Sequence, residues 1–163
     1  MNAARPPPSF DLATLRWRWC AFEALSVQEL QAIHMARQAV FVVEQQCCFQ
    51  DADEVDEDAF HLAAWSPAYR QPLAYARVAH PGVKYAEPSI GRVITTAPAR
   101  GTGLGRVLVQ RAIAHCRETY PGQGIRISAQ SRLEHFYAAF GFEAQGDRYL
   151  EDGIPHTEMF LPA

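Results

Sequence analysis

A chain of 163 residues with 48% hydrophobic and 20% charged side chains is long enough to bury the core of one domain and too short for two of ordinary size. Its 15 Lys and Arg against 18 Asp and Glu leave a net charge of -3, which excludes the broad cationic face that general nucleic-acid binding requires. No run reaches the roughly 20 apolar residues of a membrane span, and the opening MNAARPPPSFDLATL lacks the apolar core of a signal peptide. The expected setting is cytoplasmic, with neither nucleic acid nor membrane as partner.

Residues 1–14, with Pro6-Pro7-Pro8 and few apolar positions, read as a flexible tail, leaving 15–163 as the domain. A strand over 15–22 is followed by Ser26-Val27-Gln28-Glu29, a capping box that opens a helix expected to run to Gln45. The apolar face of that helix reads Leu30, Ile33, Val40 and Phe41, and helical spacing puts Arg37 and Glu44 on the same side. Arg37 can pair there with Glu44 or with an acid of the segment 51–58. That segment reads as a solvated acidic loop beside a cleft. Asp51, Asp53 and Asp56 imitate a calcium loop, but Asp56 stands where its turn glycine belongs and Leu62 where its closing glutamate belongs.

Strand-like runs follow at 60–65, 73–80 and 89–96. A helix from Gly103 buries Leu108, Val109, Ala112, Ile113 and Cys116, spaced by three and four, until YPGQG ends it. Next come a strand at 125–129, a short helix over 133–140 stopped by Gly141, and strands at 142–150 and 156–161 joined by the turn EDGIP. The order β-α-β-β-β-α-β-α-β-β implies a single α/β domain with a mixed sheet of six to seven strands flanked by helices. Cys20, Cys47, Cys48 and Cys116 form no CxxC pair and read as reduced thiols, Cys116 as a buried one. Cys47 and Cys48 follow a helix end and border a pocket in this reading. No histidine or cysteine spacing suits a metal.

The stretch Pro98 to Gly105 joins a strand to a helix through glycines, so backbone amides at a helix start can approach an anion such as a diphosphate. No Gly-Lys-Ser/Thr closes it, and a dinucleotide fingerprint would need glycine at Arg106. By itself the loop supports an anion site or a tight turn equally. Arg100-Gly101-Thr102-Gly103-Leu104-Gly105 resembles the cofactor signature of the GNAT superfamily, an Arg or Gln followed by x-x-Gly-x-Gly/Ala. FYAAFGF, from Phe136 to Phe142, resembles that family's Tyr-x-x-x-Gly-Phe segment. Gln130 replaces the asparagine that many members carry seven residues before the tyrosine. RQAVFVVEQQCCFQDADEVD, AYARV, IGRV and EDGIPH together resemble the ElaA-type branch.

The resemblance implies an acetyl-CoA-dependent N-acyltransferase in which an amine of a small molecule or peptide attacks the thioester directly, with no metal. Arg100, Gly101, Thr102, Gly103, Leu104, Gly105 and Arg106 would hold the pyrophosphate, and Thr95 would pair with the pantetheine. The amide of Val93 would polarise the carbonyl, and Ile94 and Gln130 would line the same cofactor site. Tyr137 would be the general acid, a role a phenol fits because it stays protonated at neutral pH; spacing alone also allows a half-buried helix aromatic. The glutamate that many members place on the fourth strand is absent, since that strand offers Ser89, Gly91 and Arg92. The base is therefore open among Glu44, His61, Glu151 and His156, with His156 and Glu44 preferred. Arg77, Arg92 and Glu151 are candidates for acceptor binding. If the two arginines face the acceptor it is anionic; otherwise they form ion pairs with Glu44 or the acidic segment. A non-catalytic acyl-CoA-binding or sensing module, and an interaction protein that has lost the cofactor, are the alternatives. An open sheet edge would suit a homodimer.

Overall fold

A computed structural model describes residues 10–163. Its strands are β1 (Arg16–Ala21), β2 (Ala59–Trp65), β3 (Ala74–Ala79), β4 (Ser89–Thr95), β5 (Ile125–Gln130), β6 (Glu143–Glu151) and β7 (Ile154–Leu161), and its helices are α1 (Val27–Gln38), α2 (Leu104–Thr119) and α3 (Glu134–Ala138). They form one seven-stranded sheet in the order β1-β2-β3-β4-β5-β7-β6. Every neighbouring pair is antiparallel except β4 and β5.

β3 is buried along its whole length, and strand alternation sends its side chains to two separate cores. Ala74, Ala76 and Val78 meet Leu108, Val109 and Ala112 of α2, whereas Tyr75 meets Ile33, Ala36 and Val40 beneath α1. The five apolar positions read on α2 are all buried. Full burial of each Leu, Val or Ile there contributes about 1.5–3 kcal/mol. Cys116 lies among them, and burial pushes its thiol up to about 12.

The capping box at Ser26 and Glu29 forms as read: the Glu29 amide donates to the Ser26 hydroxyl at 3.2 Å and the Ser26 amide to the Glu29 carboxylate at 3.0 Å. The helix itself differs from expectation. It leaves α-helical geometry after Gln38 and continues as a π-helical turn over Ala39–Glu44, in which the Gln45 amide reaches back five residues to the Val40 carbonyl at 3.0 Å. α3 is also shorter than expected: Leu133 belongs to a separate 3-10 turn over Ser131–Leu133, and the helix ends at Ala138 rather than Phe140. The last hairpin turns on Asp152 and Gly153 alone, both at positive φ (53° and 76°), the geometry an Asp-Gly pair favours. Pro155 stands inside β7 rather than in the turn, opposite Leu150 and beyond the last β5 pair, Gln130 with His156; its missing N–H therefore interrupts no bond to β5.

The tail expected over 1–14 lies outside the described residues as far as residue 9. Beyond that it is joined to the fold: Leu12–Thr14 form a 3-10 turn capped by Asp11, and Phe10 packs edge-on against Tyr69 with ring centres 6.2 Å apart. Among the described residues no helix is long and apolar enough to cross a membrane.

Candidate functional site

The parallel contact between β4 and β5 consists of one register pair, Ser89 with Arg126. Beyond it the two strands diverge. A cleft of ≈ 550 Å³ opens between them, with Val93, Thr95, Arg100, Gln130, Tyr137 and His156 among its walls. Phe41 and Glu44 reach the same cleft from the π-helical turn. A smaller compartment of ≈ 70 Å³ shares Phe41, Arg92, Glu151 and His156 with it and extends past Cys47 and Phe49.

β4 is itself irregular. Its pairing with β3 jumps from Tyr75 with Ile94 to Arg77 with Gly91, so Arg92 and Val93 together oppose Ala76. Arg92 has φ +50°, a conformation seldom taken by a residue with a long side chain. This is a β-bulge, which leaves Arg92 and Val93 without one-to-one register partners beside the cleft.

At the far end of β4 the glycine loop leads into α2. Gly101 and Gly103 take φ +75° and +85°, Gly103 serving as the N-cap. The Thr102 hydroxyl donates to the Ala99 carbonyl at 2.6 Å and accepts from the Leu104 amide at 3.3 Å. Among the described residues the amides of Gly101, Thr102, Gly103 and Gly105 have no hydrogen-bond acceptor. Four free donors at the positive end of a 16-residue helix suit a diphosphate. Arg100 donates from Nε and Nη2 to the Thr95 carbonyl, each at 3.3 Å, and pairs with Glu44. Arg106 instead lies over the Phe140 ring, 5.3 Å from its centre.

Tyr137 is buried, and burial pushes its phenol up to about 12. It lines the cleft, and its hydroxyl makes no hydrogen bond among the described residues. The Gln130 amide nitrogen donates to Gln45 at 3.0 Å. His156 Nδ1 lies 2.8 Å from the Ile154 carbonyl. A carbonyl can only accept, so the neutral ring carries its proton on Nδ1 and leaves the Nε2 lone pair free. Tyr149 stacks on this ring, with centres 6.1 Å apart, and its hydroxyl meets Ser128, whose own hydroxyl donates to Glu151 at 2.8 Å. Burial alone would raise the Glu151 carboxyl; the Ser128 bond and the nearby Lys84 outweigh it and hold the group below its usual value.

His61 lies outside the cleft walls. Both ring nitrogens are engaged, Nδ1 by the Tyr75 hydroxyl at 2.8 Å and Nε2 by the Asp56 carbonyl at 2.9 Å. The acidic segment also differs from expectation, being solvated only in part. Glu54, Glu57 and Asp58 are exposed, but Asp51 and Asp56 turn inward onto arginines. Arg37, wholly buried, donates to Asp51 and Asp56, at 2.7 Å each. Arg77 binds Asp53 and Asp56, and Arg92 pairs with Asp51 and Asp53. Three aspartates thus balance three guanidinium groups, and Arg77 and Arg92, though they border the cleft, have their charges engaged by this loop. Ser128 and Tyr149 escaped sequence reading, because only strand register brings them to Glu151 and His156. Among the described residues no group of three or more His, Cys, Asp or Glu is placed to hold a metal ion.

A family model described as an acetyltransferase (GNAT) domain matches residues 28–162. The chain is 41% identical to a UPF0039 protein of Synechocystis over 90% of this chain and 95% of that one. It is 35% identical to the ElaA protein of Escherichia coli, covering 89% and 95% of the two chains. The ElaA crystal structure superposes with a TM-score of 0.83 over 90% of this chain and 99% of that one. An acyl-CoA N-acyltransferase structure from Pseudomonas aeruginosa, 38% identical, superposes with a TM-score of 0.86 over 91% and 99%.

Proposed function

The chain belongs to the GNAT acetyltransferase family, in its ElaA-like branch, and from that premise we propose that it transfers an acetyl or other short acyl group from acyl-CoA to a primary amine of a small molecule or peptide. The observation that carries this reading is that one cleft runs from Arg100, the residue that opens the loop of free amides, to Tyr137, whose hydroxyl has no partner among the described residues.

Bound acyl-CoA supplies an electrophilic thioester carbonyl and a thiolate leaving group. The loop from Arg100 to Gly105 binds the pyrophosphate through its amides, and the splayed edge of β4 at Ile94 and Thr95, faced by Gln130, receives the pantetheine. The Val93 amide, at the bulge, donates to the carbonyl oxygen where negative charge develops. His156 takes the proton of the attacking amine on Nε2, while Ile154 fixes its tautomer and Tyr149 its ring plane. Glu151 sits beside it as an ionised carboxylate that attracts the ammonium form of the acceptor. Tyr137 protonates the departing sulfur, for which a buried, un-ionised phenol is suited. Glu44 orders Arg100 at the cofactor end. The four free thiols accord with a cytoplasmic setting.

The test is thiol release from acetyl-CoA with a panel of primary amines. Release that depends on both an amine and Tyr137 supports the enzyme. Tight acetyl-CoA binding without release from any amine supports instead the sensing module, which the missing strand glutamate favours.

A further inference from the structure

No step of acyl transfer uses the loop from Asp51 to Asp56, yet this loop grips the sheet where β4 leaves its register. Asp51 is the central contact. Its carboxylate accepts from Arg37 Nε at 2.7 Å and lies 2.8 Å from Arg92 Nε, and its carbonyl accepts from Arg37 Nη2 at 2.8 Å and Arg92 Nη2 at 3.4 Å. Arg92 is the residue at φ +50° that forms the bulge. On the opposite strand, Arg77 is the register partner of Gly91, one residue before the irregularity, and it is tied to the same loop through Asp53 and Asp56. Arg37 and Asp51, 0% and 6% exposed, give the arrangement a buried base, and Phe41 covers the Arg92 guanidinium 5.8 Å from its ring centre.

A left-handed residue with a long side chain persists only where its surroundings over-determine it. An extended Arg92 would draw Val93 back into the ladder and withdraw its amide from the cleft. We propose that Asp51 is a positioning residue for acyl transfer: it holds Arg92 in the left-handed conformation that presents the Val93 amide to the thioester carbonyl. The assignment rests on the acyl-transfer reading. It gives a role to a charge-matched loop that no step of the proposed transfer uses.

Glycine supplies the test, because it takes positive φ without help from a clamp. In the full chain, Arg92→Gly and Arg92→Ala both remove the guanidinium, but only alanine still needs the clamp. The expected result is that Arg92→Gly melts about 2–4 °C above Arg92→Ala, the reverse of the usual order within a strand. Its kcat should also exceed that of Arg92→Ala by roughly 10- to 100-fold at similar KM for acetyl-CoA. Asp51→Asn should lower kcat by a comparable factor, and adding Arg92→Gly to it should restore the rate. Equal rates in the glycine and alanine variants, or a loss confined to KM, overturn the assignment. Should Asp51→Asn fail to fold, the glycine and alanine pair decides alone. Absence of transfer by the unaltered chain defeats the reaction and this role together, whereas a flat kcat across variants of an active chain defeats the role only.

Discussion

Glu44 and Arg100 form an ion pair across the cofactor end of the cleft, linking the last residue of the π-helical turn to the first residue of the glycine loop. Both side chains are over a third exposed, at 39% and 46%, so water screens the pair and its contribution to stability is small. Its consequence lies in order: Arg100 also donates to the Thr95 carbonyl at the edge of β4. Glu44→Gln should therefore raise KM for acetyl-CoA more than it lowers kcat, as steady-state kinetics at varied cofactor concentration would reveal. A collapse of kcat at constant KM would return Glu44 to the role of base.

Tyr137→Phe keeps the ring in its buried site and removes only the hydroxyl. Loss of a general acid costs about 10²- to 10⁴-fold in rate, so kcat should fall by about that factor while calorimetric affinity for acetyl-CoA stays close to that of the unaltered chain. Because burial raises the phenol to about 12, no alkaline loss of rate from Tyr137 is expected below about pH 11.

His156→Ala should depress kcat by about 10²-fold or more if Nε2 is the proton acceptor, and added imidazole should restore part of the rate. Rescue by a small base distinguishes proton transfer from a structural loss, which imidazole would leave unchanged.

Gly103→Ala tests the loop. At φ +85° a Cβ costs about 1–2 kcal/mol, measurable by denaturant unfolding. The distorted turn would also misdirect the free amides, so calorimetry should show acetyl-CoA binding weakened by about 10-fold or more. Unchanged affinity would mean that the pyrophosphate is held elsewhere.

Acid should unfold the chain in two stages. Burial lowers His61, with partial opposition from the Asp56 carbonyl it bonds. A depressed base is neutral when folded, so its contribution is complete above the unfolded value and declines as pH falls below about 6.5. Burial raises Asp56, but the bonds from Arg37 and Arg77 outweigh it and the carboxyl lies low; its contribution is present above about pH 4 and is lost below that. Asp56→Ala should remove about 3–5 kcal/mol at neutral pH and weaken the second stage, to which the lowered Glu29, Glu87, Glu134 and Glu151 also contribute. Urea titrations at pH 7, 5 and 3.5 would resolve both.

Much of this fold was legible from local pattern. The buried stripe of α2, the capping box at Ser26 and the order of strands and helices depend on side-chain period and capping chemistry within a few residues. The π-helical turn over Ala39–Glu44 was not legible, because its apolar spacing reads as a continuing α-helix. Pro155 resembled a turn residue because its harmlessness depends on where β5 ends, a fact of the neighbouring strand.

The amino-acid order by itself determined the glycine loop, the tyrosine that follows it and the family to which they point, since amide donors at a helix start and a phenol at fixed spacing are properties of short segments. Tertiary structure decided the charges. Arg37 meets Asp51 across 14 positions and Glu44 meets Arg100 across 56, so sheet order and not sequence distance selects these partners. Burial then fixes the outcome. An unpaired charge withdrawn from water costs far more than a surface pair returns, and Asp51, Asp53 and Asp56 therefore face Arg37, Arg77 and Arg92 where a polar stretch of sequence had suggested a solvated loop.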